Sequence, residues 1–107
     1  MFGSGVGSGN TGPSVTGSHT STAAETSYTT VVLTAPRSTK WKKLVITTSA
    51  GISSIQVQGN GPEFIYGNAT PQVPGEIDLS KLPTSNTLNI GVENVAGVAT
   101  TVVTAYY

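Results

Sequence analysis

At 107 residues, with no cysteine and one histidine, the chain is a single domain at most and has neither disulfides nor a thiolate or multi-histidine metal site to support a small core. Charged residues are 9% of the chain, five basic against five acidic, and a net charge of zero favours association over free diffusion and argues against binding nucleic acid by bulk charge. No apolar run is long enough to cross a bilayer, and the N-terminus has no basic region followed by an apolar stretch, so the expectation is a protein made in the cytoplasm and kept there or carried out inside an assembly.

Residues 1–26 are rich in Gly, Ser and Thr and show no periodicity. Such a segment buries too little apolar surface to offset the entropy of ordering, and it reads as an extended arm, flexible or ordered by a partner, ahead of a domain over 27–107. Gly7, Gly9 and Gly12 satisfy GxGxxG. A dinucleotide loop needs a strand before it and a helix after it to aim N–H groups at phosphate, and neither is present in the pattern.

From Ser27 onward, short β-branched and aromatic runs alternate with Gly, Pro and Asn clusters, the pattern of an all-β fold. Seven strands are predicted, at 27–35, 41–48, 52–59, 62–67, 76–82, 87–94 and 98–107. The first ends at Pro36, and GNG at 59–61 supplies a hairpin turn. Leu44 and Ile46, Ile55 and Val57, Ile77 and Leu79, and Leu88, Ile90 and Val92 occupy alternate positions that face a core. GNATPQVPG at 67–75 reads as a loop crossing between sheets. The expected architecture is a seven- to eight-stranded antiparallel β-sandwich, jelly roll or Greek key, carrying the N-terminal arm.

Arg37, Lys40, Lys42 and Lys43 surround Trp41, the only tryptophan. Lysines that guard an edge strand while the indole caps the core explain the cluster, and so does docking on an acidic partner. Single-strand nucleic-acid binding would require net positive charge and a second aromatic. Glu76 and Asp78 share the outward face of one strand but are too few for calcium or for glycosidase chemistry. His19 lies in the arm, remote from the strand serines and threonines, so no nucleophile has a base, and the chain reads as non-enzymatic and cofactor-free. Asn68-Ala69-Thr70 is a glycosylation sequon that matters only on a secretory route. Phe64 and Tyr66, with Trp41, are the candidates for sugar stacking; Tyr106 and Tyr107 end the chain in an aromatic strand suited to a subunit interface.

The runs WKKLVITT, ISSIQVQGNG, GEIDLSKLP, NTLNIGVENVAG and VVTAYY resemble the small β-sandwich and jelly-roll decoration, or cement, proteins of tailed-phage capsids. That resemblance implies a non-enzymatic virion subunit on the capsid surface, often trimeric, that clamps major capsid proteins. Arg37, Lys40, Trp41, Lys42, Lys43, Tyr106 and Tyr107 are the residues expected to meet a partner, with no role for membrane or nucleic acid. On this reading the arm lies along neighbouring subunits, and removal of residues 1–24 leaves the fold intact while weakening lattice binding. A carbohydrate-binding or adhesin-type sandwich module is the competing reading; it would display coplanar exposed aromatics.

Overall fold

The computed structural model describes residues 12–49, 52–57, 60–67 and 75–107; for Ile52 and for 60–67 the description is of the backbone alone. Among the described residues the chain is all-β, with eight strands: β1 Ser14–Ser21, β2 Thr29–Thr39, β3 Lys43–Thr48, β4 Ile52–Val57, β5 Asn60–Gly67, β6 Gly75–Asp78, β7 Ser85–Asn94 and β8 Ala99–Tyr106. They make two four-stranded antiparallel sheets, ordered β1-β8-β3-β6 and β2-β7-β4-β5. The first strand pairs with the last, the second with the seventh, the third with the sixth and the fourth with the fifth. Only β4 and β5 are both consecutive in the chain and neighbours in a sheet, so every other connection passes from one sheet to the other. The crossing expected at 67–75 is one of these passages, although residues 68–74 and the sequon within them lie outside the described residues.

Period-two alternation decides which side chains enter the core. Leu44 and Ile46 of β3, Ile77 of β6 and Val103 and Ala105 of β8 face Leu33 and Ala35 of β2, Ile55 and Val57 of β4 and Leu88, Ile90 and Val92 of β7. Both sheets therefore contribute to one apolar cluster, and all the predicted core positions lie in it. Each fully buried Leu or Ile contributes roughly 1.5–3 kcal/mol, which is how so short a chain sustains a core without disulfides.

The sheet begins well before residue 27. Ser14–Ser21, read from sequence as part of an arm, is a strand whose partner is the C-terminal strand, in register from Ser14↔Tyr106 to Ser21↔Ala99. Its alternation is real but weak in hydrophobicity, because the inward positions are Val15, Gly17, His19 and Ser21. The register is set instead by the ladder and by cross-strand hydroxyl pairs, Thr16 with Thr104 at 3.0 Å and Thr20 with Thr100 at 2.9 Å. Gly17 is required by close approach. A Cβ there would lie 2.6 Å from Val31 Cγ1 and 2.9 Å from Leu33 Cδ2, so β2 side chains of the opposite sheet fill the place of the missing methyl.

Pro36 does not end β2, which runs on to Thr39 with a register shift between Thr34 and Thr39. The strand is at the edge of its sheet, where a residue without an N–H is tolerated, and the irregularity accommodates it. β6 stops at Asp78, four residues short of the expected end. There the Asp78 carboxylate accepts the Ser80 N–H at 2.8 Å, and Leu82 N–H turns back to the Leu79 carbonyl at 3.0 Å. The hairpin expected at 59–61 does join β4 to β5, but β5 begins already at Asn60, opposite Val57, and Gly59 lies outside the described residues.

Candidate partner-docking site

The antiparallel registers carry the expected contact residues to one end of the molecule. Ser14, Tyr106, Lys43 and Asp78 are successive neighbours across the first sheet, so the start of β1, the end of β8, the start of β3 and the end of β6 coincide. The β2–β3 and β6–β7 connections lie at the same end. Arg37, Lys40, Lys42 and Lys43 come from the first connection and its flanks, and Lys81, far away in sequence, joins them from the second. This end holds every lysine and arginine of the chain.

The platform under these cations is fixed by hydrogen bonds. Lys42 N–H donates to the Tyr106 carbonyl at 2.8 Å, Leu79 N–H donates to the Lys42 carbonyl at 2.9 Å, and Lys40 Nζ donates to the Leu82 carbonyl at 2.6 Å. Tyr107 N–H bonds the Pro13 carbonyl at 3.1 Å, closing the sheet beside it. The Asp78 carboxyl is held below its ordinary range, first by its hydrogen bonds from Ser80 and also by Lys81 nearby.

The aromatics divide into core and surface. Trp41 is 1% exposed and belongs to the core, so its indole is neither a partner contact nor a sugar-stacking platform. Its Nε1 finds no acceptor among the described residues. Tyr107 packs half-buried against it, edge to face, with ring centroids 5.8 Å apart. Tyr106 lies on the outer face with the Lys43 ammonium 5.6 Å from its ring centroid. Phe64 and Tyr66 fall on β5 at the positions paired with Ile55 and Ser53; their side chains lie outside the described residues.

Beyond the cationic end, the outer face of the first sheet carries one charged side chain among the described residues, Glu76 at its β6 edge. Its rows read Thr16–Thr104–Val45–Glu76 and Ser18–Val102–Thr47, followed by Thr20–Thr100 with Ser49 beyond the end of β3. These residues are exposed or half-exposed. Where two threonine hydroxyls bond each other, less hydrogen bonding to water is lost when the face is covered.

The opposite end of the interior is polar, a feature the strand-by-strand reading missed. Ser53, Asn94 and Thr101 are fully buried, with Ser21 and Thr48 nearly so. Ser53 and Thr101 hydroxyls donate to Asn94 Oδ1 at 2.9 and 2.6 Å, and both reach Thr48 Oγ1 at 3.2 Å. Asn94 Nδ2 donates to Ser21 Oγ at 3.3 Å and to the Ala99 carbonyl at 3.2 Å. Next to this network, the Glu25 carboxylate contacts His19 Nε2 at 2.7 Å and accepts the Asn94 N–H at 2.9 Å. The signal was present as parity. Ser53 is in phase with Ile55 and Val57, and Thr101 with Val103 and Ala105.

No group of three or more His, Cys, Asp or Glu side chains is gathered among the described residues. No family model, no curated protein and no solved structure matches the chain.

Proposed function

We propose that this chain is a non-enzymatic structural subunit of a virus particle, a capsid decoration or cement protein that docks on a protein lattice and stiffens it, working as a homo-oligomer. The strand orders support reading the two sheets as a jelly-roll sandwich. A chain doubled back at β4–β5 and rolled up pairs first with last and second with seventh, as here. The observation that carries the proposal is the surface. One broad sheet face is built of Ser, Thr and Val with Glu76 alone charged at its β6 edge, and all cations are gathered at one end, an arrangement suited to a protein covered by neighbours. Pro13, directly before β1, is bonded at the cationic end, where its carbonyl accepts the Tyr107 N–H.

The test is mass spectrometry and electron microscopy of purified virus particles from the source of the sequence. The protein is expected at a fixed copy number per capsid, as added density on the lattice. Its absence from the particles overturns the proposal.

A further inference from the structure

We infer that the cationic end is the docking end and that its partner is an acidic protein surface; this rests on the reading of the chain as a subunit that binds other proteins. Charge segregation is the first ground. Arg37, Lys40, Lys42, Lys43 and Lys81 converge from two connections that are distant in sequence, against Asp78 and Glu76 on the same sheet. Glu25 and Glu93 lie toward the other end with no lysine or arginine, and Glu63, the fifth acid, falls on β5 at the edge of the other sheet. A molecule of zero net charge thus presents a positive end, and the surface complementary to it is negative.

Preorganisation is the second ground. Both backbone groups of Lys42 are bonded to neighbouring strands or turns, and the Lys40 ammonium is held at 2.6 Å by the Leu82 carbonyl. That ammonium has further donors, so it meets an anion without first losing the freedom of its whole side chain. Asp78 is the ladder partner of Lys43 and lies near Lys81, and its carboxylate gives the end a mixed pattern that selects register as well as charge.

The aromatics favour protein over nucleic acid. Single strands bind where base faces stack on rings beside a cationic track. Here Trp41 is buried, Tyr107 is engaged with it, and the Tyr106 ring already carries the Lys43 ammonium. The cations remain, while the stacking surfaces are occupied.

The experiment uses the full chain and two labelled probes, poly-L-glutamate and an oligothymidylate of similar length, followed by fluorescence anisotropy at low and near-physiological salt. Poly-L-glutamate is expected to bind, and to bind more tightly than oligothymidylate. Its affinity should fall about tenfold or more with salt, because the contacts are exposed to screening. The pair Lys42→Glu and Lys81→Glu should remove most of this binding, and Lys42→Gln with Lys81→Gln should give an intermediate loss. Thr20→Glu, at the opposite end, should change nothing, and thermal melts establish that each variant is folded. Tighter binding of oligothymidylate, or equal binding by the charge-reversed pair, overturns the inference. Recruitment to particles separates it from the underlying proposal: a charge-reversed protein that still joins capsids refutes the docking end alone, whereas a wild-type protein missing from capsids refutes the function.

Discussion

Asn94 stands in phase with Leu88, Ile90 and Val92, a position that alternation reserves for an apolar side chain, and it is fully buried there. Its carboxamide is matched on both sides, with two hydroxyls at the oxygen and Ser21 and the Ala99 carbonyl at the nitrogen. The network can therefore persist without the penalty of an unpaired buried group. Glu25 extends it to the backbone: its carboxylate accepts the Asn94 N–H and contacts His19, and its own N–H returns to the Asn94 carbonyl at 3.1 Å. These bonds, the Asn94 N–H first, lower the Glu25 pKa from its ordinary 4.5. A carboxyl whose folded pKa is depressed contributes stability that is fully present above the unfolded value and is lost as pH falls through the folded one. Urea midpoints should thus decline below about pH 4.5 in the native protein. Glu25→Gln should be less stable at pH 7 by on the order of 1 kcal/mol, and the gap should close toward pH 3. A gap that persists unchanged at pH 3 would mean that the carboxylate charge is irrelevant to the clasp.

At the scale of the element, β1 makes the sharpest prediction because it stands where an arm was expected. Removal of residues 1–11 leaves the β1–β8 ladder whole, and the shortened chain should still fold cooperatively, with its circular dichroism spectrum retained at 25 °C. Removal of residues 1–24 takes away the ladder, the Val15 contact with the core and the Ser21 and Glu25–His19 ties of the polar end. That loss should amount to several kcal/mol, comparable with the whole stability of so small a domain, and circular dichroism should find the longer truncation largely unfolded at 25 °C. Strands β2 to β8 were legible because Val, Ile and Leu recur with period two between Gly, Pro and Asn. β1 was not, since Val15 is its single large apolar side chain and Gly17 is demanded by Val31 and Leu33, side chains brought to it by the opposite sheet. The candidate site was legible to the same extent. Arg37 to Lys43 form a run visible in sequence, but Lys81 enters the cluster through the register that sets Asp78 beside Lys43, and only topology supplies that register. Trp41 is buried by Tyr107 from the far end of the chain, a contact that no local pattern announces.

For the molecule as a whole, the pairing of first strand with last dictates how it must fold. β4 and β5 form the one local hairpin among the described residues, whereas β1 meets β8 only after nearly the entire chain has been drawn into a loop. Closing such loops costs entropy before any long-range contact can repay it, so refolding belongs to the slow, non-local class, on the order of milliseconds to seconds. The core strands β4 and β7, which pair along Ile55↔Val92 and Val57↔Ile90, can assemble once the hairpin exists; β1 has to wait for β8 to be in place. Trp41, the only tryptophan and fully buried, reports the process by fluorescence in a stopped-flow instrument. Ile55→Val should slow refolding, placing β4 in the nucleus, while Val15→Ala should leave the refolding rate nearly unchanged and accelerate unfolding. Should Val15→Ala instead retard refolding as strongly as Ile55→Val, the first strand would be pairing in the transition state, and the ends of the chain would meet before the middle is built.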